Sequence, residues 1–157
     1  KSVDISLKGN KVTTYSYANP AMIVTSDAEV KMNNPAVSFK LLNDDLQDLL
    51  KMAHVMERPE IILNGDAERI SILAIDTKDD SPNVNRHSIQ LEEKTTKNFR
   101  FIFDTETIKV LPLDYDVEIN SIGITRLSHG DTLEYFLGSK ATSTYEGKSV
   151  KSPKEAK

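Results

Sequence analysis

Cysteine is absent from the 157-residue sequence, which excludes a disulfide framework, a thiolate zinc site and a cysteine nucleophile together. No apolar run approaches the ~18 residues of a membrane-spanning helix, and no signal peptide is visible. Glycine occurs only six times, and no G-x-S-x-G, Walker or G-x-G-x-x-G motif is present. These absences give no support for an enzyme.

Positive charge is not in excess either. Twenty Lys and Arg stand against 24 Asp and Glu, giving a net charge of −4. Tight binding of nucleic acid over the whole surface needs clustered Lys and Arg, so the composition argues against it. Apolar residues make up 38% of the chain, which suffices for the modest core of one domain, or of one domain plus a fragment.

Candidate catalytic and metal-binding residues are few. His54, His87 and His129 are widely spaced, and none has a partner at a ligand spacing such as H-x-x-x-H. The acidic pairs 44–45 and 79–80 occupy a helix start and a turn, which are common structural positions for aspartate. We therefore expect neither a metal nor another cofactor.

A pattern that occurs twice is the strongest positive signal. Between residues 37 and 77 an apolar strand runs into an amphipathic helix, and further strands follow. The same order recurs over residues 98–137, where the strand 99–103 leads into a shorter helix ending near Pro112. Two such copies predict an α+β fold with both helices on one face of a continuous antiparallel sheet.

The first copy contains the clearest helix, predicted over residues 44 to about 57, with Asn43 as its N-cap and Pro59 beyond its end. Apolar residues at helical spacing define one buried face: Leu46, Leu49, Leu50, Ala53 and Met56. The helical wheel places a partly basic edge beside this face, formed by Gln47, Lys51, His54 and Arg58. These charges compensate the helix dipole, and the same edge is suited to facing a polyanion.

Composition divides the chain into four parts. Residues 1–18 alternate like a β-hairpin, and residues 19–36 read as an extended connector. Residues 37–147 form the compact domain, within which Asn64-Gly65 is predicted to be a turn between strands. Residues 148–157 are Lys-rich and without apolar periodicity, so we expect a disordered tail.

Several segments resemble the C-terminal half of the T-even-type phage sliding clamps, the DNA polymerase processivity factors. The resemblance covers roughly residues 5–147 and is carried by segments 45–51 (DLQDLLK), 98–103 (NFRFIF), 108–112 (IKVLP) and 134–147 (EYFLGSKATSTYEG). Upstream, residues 15–24 (YSYANPAMIV) are similar to the last strand of that family's first domain running into its connector.

The resemblance implies a DNA-clamp fold and a non-enzymatic function. Such clamps are closed trimers of two-domain subunits, with helices lining the hole and sheets outside. A clamp loader places the ring around duplex DNA, where it tethers the replicative DNA polymerase in the cytoplasm of an infected bacterium. Weak basicity suits this function, because a ring that neutralised many phosphates would not slide.

Site residues follow from the resemblance by position. Lys51, His54 and Lys109 match basic positions facing the DNA, and the helical wheel adds Arg58. A pocket for short peptides of partner proteins is implied at Ile23, Val24, Ile122, Phe136 and Gly138. An apolar stripe is more often core than interface, so burial of Ile122 and Phe136 in the core is the alternative.

The resemblance also implies head-to-tail strand pairing between subunits. The two edge strands would lie at residues 11–17 and 87–92, with interface residues Lys11, Thr13, Tyr15, Tyr17, His87, Ile89 and Leu91. The family pattern includes a complete first domain before residue 1, and this sequence has only its last hairpin. We therefore expect residues 1–18 to be the end of a truncated first domain.

Two other classes of function stay open on sequence alone. A phage structural or adaptor protein of α+β fold, with no DNA inside it, fits the acidic composition equally well. A small-molecule hydrolase would need a pocket that joins one of the three histidines to a carboxylate.

Overall fold

The computed structural model describes residues 2–7, 11–16, 31–79 and 85–150, and the chain divides into the units Lys1–Val30 and Lys31–Lys157. In the first unit, β1 (Ser2–Leu7) pairs antiparallel with β2 (Lys11–Ser16). This is the hairpin that the alternating sequence predicts.

The second unit contains one α-helix and ten strands in its described residues. The helix, α1, spans Asn43–Val55, between β3 (Val37–Leu41) and β4 (Glu60–Asp66). The remaining strands are β5 (Ile70–Ile75), β6 (His87–Gln90), β7 (Asn98–Asp104), β8 (Tyr115–Ile119), β9 (Ile124–His129), β10 (Leu133–Gly138), β11 (Thr144–Tyr145) and β12 (Lys148–Ser149).

These strands form two antiparallel sheets, each of which mixes the two copies of the repeat. The four-stranded sheet has the order β10-β9-β8-β3, and the six-stranded sheet has the order β12-β11-β7-β4-β5-β6. The first strand of each copy therefore pairs with the second strand of the other copy, β3 with β8 and β7 with β4. The predicted α+β class is confirmed, but the expected continuous sheet is two sheets.

The second predicted helix is a single 3-10 turn, Thr105–Thr107. Its sequence explains the difference, because the segment 105–112 contains Thr105, Thr107, Ile108 and Val110, whose branched Cβ atoms disfavour a helix, and then Pro112. Tertiary contacts did not override these weak helix propensities.

The segment 105–114 nevertheless lies alongside α1. Thr105 donates its N–H to the carbonyl of Pro59 at 2.9 Å, just beyond the C-terminal end of α1. At the other end of α1, Asn43 donates its N–H to Oδ1 of Asp114 at 2.7 Å. The segment thus runs antiparallel to the helix. We call residues 43–58, which comprise α1 and the turn after it, together with residues 105–114 the helix layer.

Two details of local structure correct the sequence prediction. The N-cap residue of α1 is Leu42, whose side chain makes no capping hydrogen bond. The predicted cap, Asn43, instead has its Oδ1 atom buried without a hydrogen-bond partner. Asn64-Gly65 is not a turn but continues β4, because β4 is a central strand between β5 and β7. Gly65 is required there, since a Cβ atom would overlap the ring of Phe99.

The ordered domain extends beyond the expected boundary at residue 147. Lys148 and Ser149 form β12, and Val150 is buried at 5% exposure. Ser143, fully buried, accepts the N–H of Ile102 through Oγ at 2.9 Å, which ties this segment to β7. Residues 151–157 of the predicted tail lie outside the described residues.

An ion-pair cluster with one buried carboxylate joins the two copies. Glu60, at the start of β4, is 4% exposed. Lys140 Nζ lies 2.6 Å from Glu60 Oε1 and 2.6 Å from Asp104 Oδ1, at the end of β7. Burial would raise the pKa of Glu60, but hydrogen bonds from Lys140 and Thr77 outweigh it and hold that pKa below its ordinary value.

Candidate functional site

The predicted DNA-facing residues all lie on the helix layer. Lys51 and His54 are exposed on α1, and Lys109 is exposed on the segment beside it. Arg58 is half-buried and donates from Nε to the carbonyl of Met56 at 2.7 Å, so it partly serves the C-terminal end of the helix. The layer therefore presents at least three basic side chains away from its apolar face, where Leu46, Leu49 and Ala53 are buried.

The helix layer as a whole is not strongly basic. It contains six carboxylates as well, at Asp44, Asp45, Asp48, Glu57, Glu106 and Asp114. Two of them have local partners: Asp48 Oδ2 lies 2.9 Å from Nε2 of His87, and Asp114 accepts the Asn43 N–H. A polyanion would be held weakly at this surface, through a few cations and without recognition of sequence.

The predicted interface segment 87–92 contains β6, and its pairing with another subunit stays a prediction. Strand β6 is the last strand of the six-stranded sheet. His87 and Ile89 are half-buried, and His87 contacts Asp48 of α1. Leu91 lies beyond β6, is 7% exposed and donates its N–H to Ile70 at 2.9 Å, so its side chain belongs to the core.

The other predicted interface strand is β2, which contains Lys11, Thr13 and Tyr15. Within the described residues β2 pairs with β1 alone, so its second edge has no strand partner there. Tyr17 lies outside the described residues. An unpaired edge of this kind is a ready template for another strand.

Three predicted pocket residues lie at one end of the four-stranded sheet. Gly138 of β10 pairs with Ile124 of β9, and Phe136 lies two residues away on the same face of β10. Ile122, in the turn before β9, is 48% exposed. Ile23 and Val24 lie outside the described residues.

This group is on the outer face of the sheet, opposite the core. Tyr135 and Leu137 pack against the core, and Thr125 and Leu127 are buried, so the alternate residues Ile124 and Phe136 point outward. A Cβ atom on Gly138 would meet no other atom within 4 Å. We call the outer surface at Gly138, beside Ile124 and Phe136, the apolar notch.

Sequence reasoning missed Ile124. The signal was available, because residues 124–128 alternate between Ile, Arg and Ser on one face and Thr and Leu on the other. The alternative of burying Ile122 and Phe136 in the core is wrong, since neither is part of the buried cluster.

The three histidines remain apart. His54 and His87 have the positions given above, and His129 donates from Nδ1 to the carbonyl oxygen of Asp114 at 2.8 Å. Across residues 31–79 and 85–150 and the described hairpin strands, no cluster of three or more potential metal ligands occurs. In the same residues, no helix is long and apolar enough to cross a membrane.

Sequence comparisons identify the family. The family model described as "gp45 sliding clamp, C terminal" matches residues 38–141. The chain is 28% identical over 149 residues to a protein of Vibrio phage KVP40 named "Sliding clamp", and the alignment covers 90% of this chain. The chain spans 65% of the length of that relative. The match over residues 38–141 shows that this chain belongs to the gp45 sliding clamp family and contains its C-terminal domain.

Proposed function

We propose that this chain belongs to a non-enzymatic clamp that encircles duplex DNA and tethers the replicative DNA polymerase. The observation that carries this proposal is the family match over residues 38–141, which includes the whole helix layer. Exposed Lys51 and Lys109 on adjacent elements of that layer support a surface that faces DNA. The protein would act in the cytoplasm of an infected bacterium.

In this proposal the protein would be held on DNA by the topology of a ring. A ring holds DNA because it is closed, so its inner surface needs no strong phosphate contacts. The mixed charge of the helix layer would keep each contact weak, and the ring could slide. A clamp loader would be needed to open and close such a ring around DNA.

Ring closure would use the two open strand edges. In this proposal residues 1–18 complete the first domain, residues 19–36 connect the domains, and β2 of one subunit pairs with β6 of the next. Such a heterologous interface closes into a trimer when the first domain is complete. His87 and Ile89 would contribute the β6 side of this interface.

The DNA-facing surface is tested by reversing two charges, Lys51→Glu with Lys109→Glu, in the subunit with its complete first domain. We expect loss of most polymerase stimulation on primed DNA, with the free energy of unfolding unchanged within about 0.5 kcal/mol because both side chains are exposed. The matched control is Lys94→Glu with Lys97→Glu, two exposed lysines on a loop outside the helix layer. Equal stimulation by the two double variants would remove Lys51 and Lys109 from the DNA-facing surface.

The same experiment addresses the alternative of a phage adaptor protein. The six carboxylates of the helix layer are the observation that favours an adaptor, because they would repel a phosphate backbone. An adaptor would give no salt-dependent stimulation of a polymerase, with or without the charge reversals.

The apolar notch would receive short peptides of the polymerase and of other clamp-binding proteins. Gly138→Leu should abolish peptide binding, because its side chain fills the notch, whereas Gly138→Ala should weaken it only slightly. Both should fold normally, since nothing lies within 4 Å of the added Cβ. Ile23→Asp tests the contribution of the connector; unchanged affinity would exclude Ile23 from the pocket.

A further inference from the structure

The core of the second unit contains a cavity of about 60 Å³, which we call the core cavity. It lies between the inner faces of the two sheets and the helix layer. Residues of all three contribute to its lining, among them Leu63, Phe103, Val117, Leu127 and Leu49. The core cavity is thus separate from the charged and polar surfaces described above.

The lining of the core cavity is apolar at every residue except Thr125. Thr125 is 3% exposed, and its Oγ1 atom has no hydrogen-bond partner among the described residues. A buried water molecule typically makes about three hydrogen bonds to polar groups, and a single hydroxyl group does not supply them. An apolar occupant would gain contacts with the lining and lose no hydrogen bonds, so the chemistry of the lining favours it over water.

The volume of the core cavity limits the size of its occupant. An apolar cavity of about 150 Å³ stays dry and holds one benzene molecule. In proportion, a cavity of about 60 Å³ accommodates roughly two to three carbon atoms, or one xenon atom.

The exposure of the lining residues indicates where such a molecule would enter. Ile108 and Leu137 are half-buried, whereas the other described lining residues are buried. Ile108 belongs to the segment 105–114, and Leu137 belongs to β10, where it lies beside Thr125 of β9. The entrance therefore lies between the segment 105–114 and β10.

The segment at this entrance is held largely by its own hydrogen bonds. The backbone N–H groups of Ile108, Lys109 and Leu113 donate to carbonyl oxygens within the segment. The hydroxyl group of Tyr115, at the start of β8, donates to the carbonyl oxygen of Leu111 at 2.8 Å. Such a segment opens locally at a lower free-energy cost than a paired strand.

We propose that the core cavity is a binding site for a small apolar molecule of about two or three carbon atoms, or for one xenon atom. The molecule enters between the segment 105–114 and β10. Ile108, which lines the site, precedes the exposed Lys109, so an occupant also holds this part of the helix layer more firmly. The inference does not depend on the proposed function.

The test uses xenon as the probe and the methyl resonances of the 157-residue chain as the readout in NMR spectra. Methyl groups that line the core cavity, including those of Leu49, Val117 and Leu127, should shift and reach saturation as the xenon pressure rises. The methyl groups of Val55 and Ile122, which are 65% and 48% exposed, are the internal control. They should show only small changes that stay linear with pressure.

A pair of variants tests whether xenon occupies this cavity. Val117→Ile adds a methyl group within the core cavity, so it should weaken xenon binding about three- to tenfold and should not lower the Tm, because space for the methyl group is present. Val55→Ile adds the same group at an exposed position and should leave both xenon binding and the Tm unchanged.

Hydrogen exchange tests the entrance. If opening of the segment releases xenon, occupancy of about four-fifths should slow the exchange of the Ile108 and Lys109 amides about fivefold, because the occupant stabilises the closed segment by mass action. The amides of β1 and β2, in the separate first unit, are the control and should exchange at an unchanged rate.

Three results would overturn the inference. Lining methyl groups that respond to xenon no more than Val55 and Ile122 do would show that the core cavity takes no apolar molecule. Equal xenon affinity of Val117→Ile and the unaltered chain would place the xenon elsewhere. Unchanged exchange of Ile108 and Lys109 at high occupancy would refute entry past the segment 105–114.

Discussion

The two copies of the repeat share one strand plan but differ in the element that covers the sheets. The first copy supplies α1, which buries Leu46, Leu49 and Ala53. The second copy supplies a 3-10 turn and an irregular segment, whose Ile108, Val110 and Leu113 are only partly buried against the core. The exchange of first strands between the two copies therefore does not require two equal helices.

The difference between the two covering elements is also visible in the packing of the core. The core cavity of about 60 Å³ lies where both sheets meet the helix layer. Leu46 and Leu49 line it from α1, whereas Ile108 lines it from the segment. We attribute the unfilled volume to the short second element, and we infer that α1 carries most of the stability that the helix layer contributes.

The largest expected effect tests this inequality directly. Leu49→Ala, at a side chain 2% exposed, should lower the free energy of unfolding by about 3–4 kcal/mol, since it removes buried methyl groups and enlarges the cavity. Ile108→Ala, at a half-buried side chain on the same cavity, should lower it by about 1–2 kcal/mol. Urea denaturation of both variants gives the two values.

Similar losses for Leu49→Ala and Ile108→Ala would refute the proposed inequality. Leu42→Ala is a suitable control, because Leu42 is 48% exposed and its truncation should change stability by about 0.5 kcal/mol or less.

The second prediction concerns the ion-pair cluster that holds the copies together. Lys140→Met removes the cation between Glu60 of the first copy and Asp104 of the second. It leaves Glu60 buried without its ionic partner, so the free energy of unfolding should fall by about 2–3 kcal/mol at pH 7. Lys148→Met, at an exposed lysine of β12, is the matched control and should have little effect.

The contribution of the ion-pair cluster to the free energy of unfolding should depend on pH, in the direction set by the pKa shifts of Glu60 and Lys140. The pKa of Glu60 is held below its ordinary value of 4.5, so its stabilising effect is present above that value and is lost as pH falls through the folded-state pKa. Hydrogen bonds to Asp104 and Glu60 raise the pKa of Lys140 above 10.5, so its effect is present below 10.5 and is lost as pH rises further. The difference between the chain and Lys140→Met should therefore shrink below about pH 4. A difference that does not vary with pH would contradict the cluster's role.

Much of the fold was predictable because it depends on local periodicity. Residues 70–75 alternate, and β5 follows them with buried Ile70, Ile72 and Ala74. The apolar spacing of α1 likewise predicted its buried face at Leu46 and Leu49. Both patterns report which face meets the core, whatever the tertiary partner is.

The missed features depend on partners distant in sequence. Asn64-Gly65 has strong turn chemistry, but pairing with β5 and β7 on both sides keeps it in a central strand. The outward position of Phe136 depends on its pairing opposite Arg126, and the apolar run 135–137 alone does not reveal which residue faces the core. The core cavity likewise combines residues of both sheets and the helix layer.

The prediction with the smallest expected effect asks which residue caps α1, Asn43 of the first copy or Asp114 of the second copy. The sequence predicts that Asn43 caps α1, whereas the structure has Asp114 of the second copy accepting the Asn43 N–H at 2.7 Å. Asp114→Ala should therefore lower the free energy of unfolding by about 1 kcal/mol, the usual effect of losing a helix cap. Asn43→Ala should be nearly neutral, because the Asn43 side-chain oxygen is buried without a hydrogen-bond partner and its removal relieves an unsatisfied group. Thermal denaturation of the two variants measures the contrast. If Asn43→Ala proves less stable than Asp114→Ala, Asn43 caps α1 itself. The helix of the first copy then does not depend on a cap from the second copy.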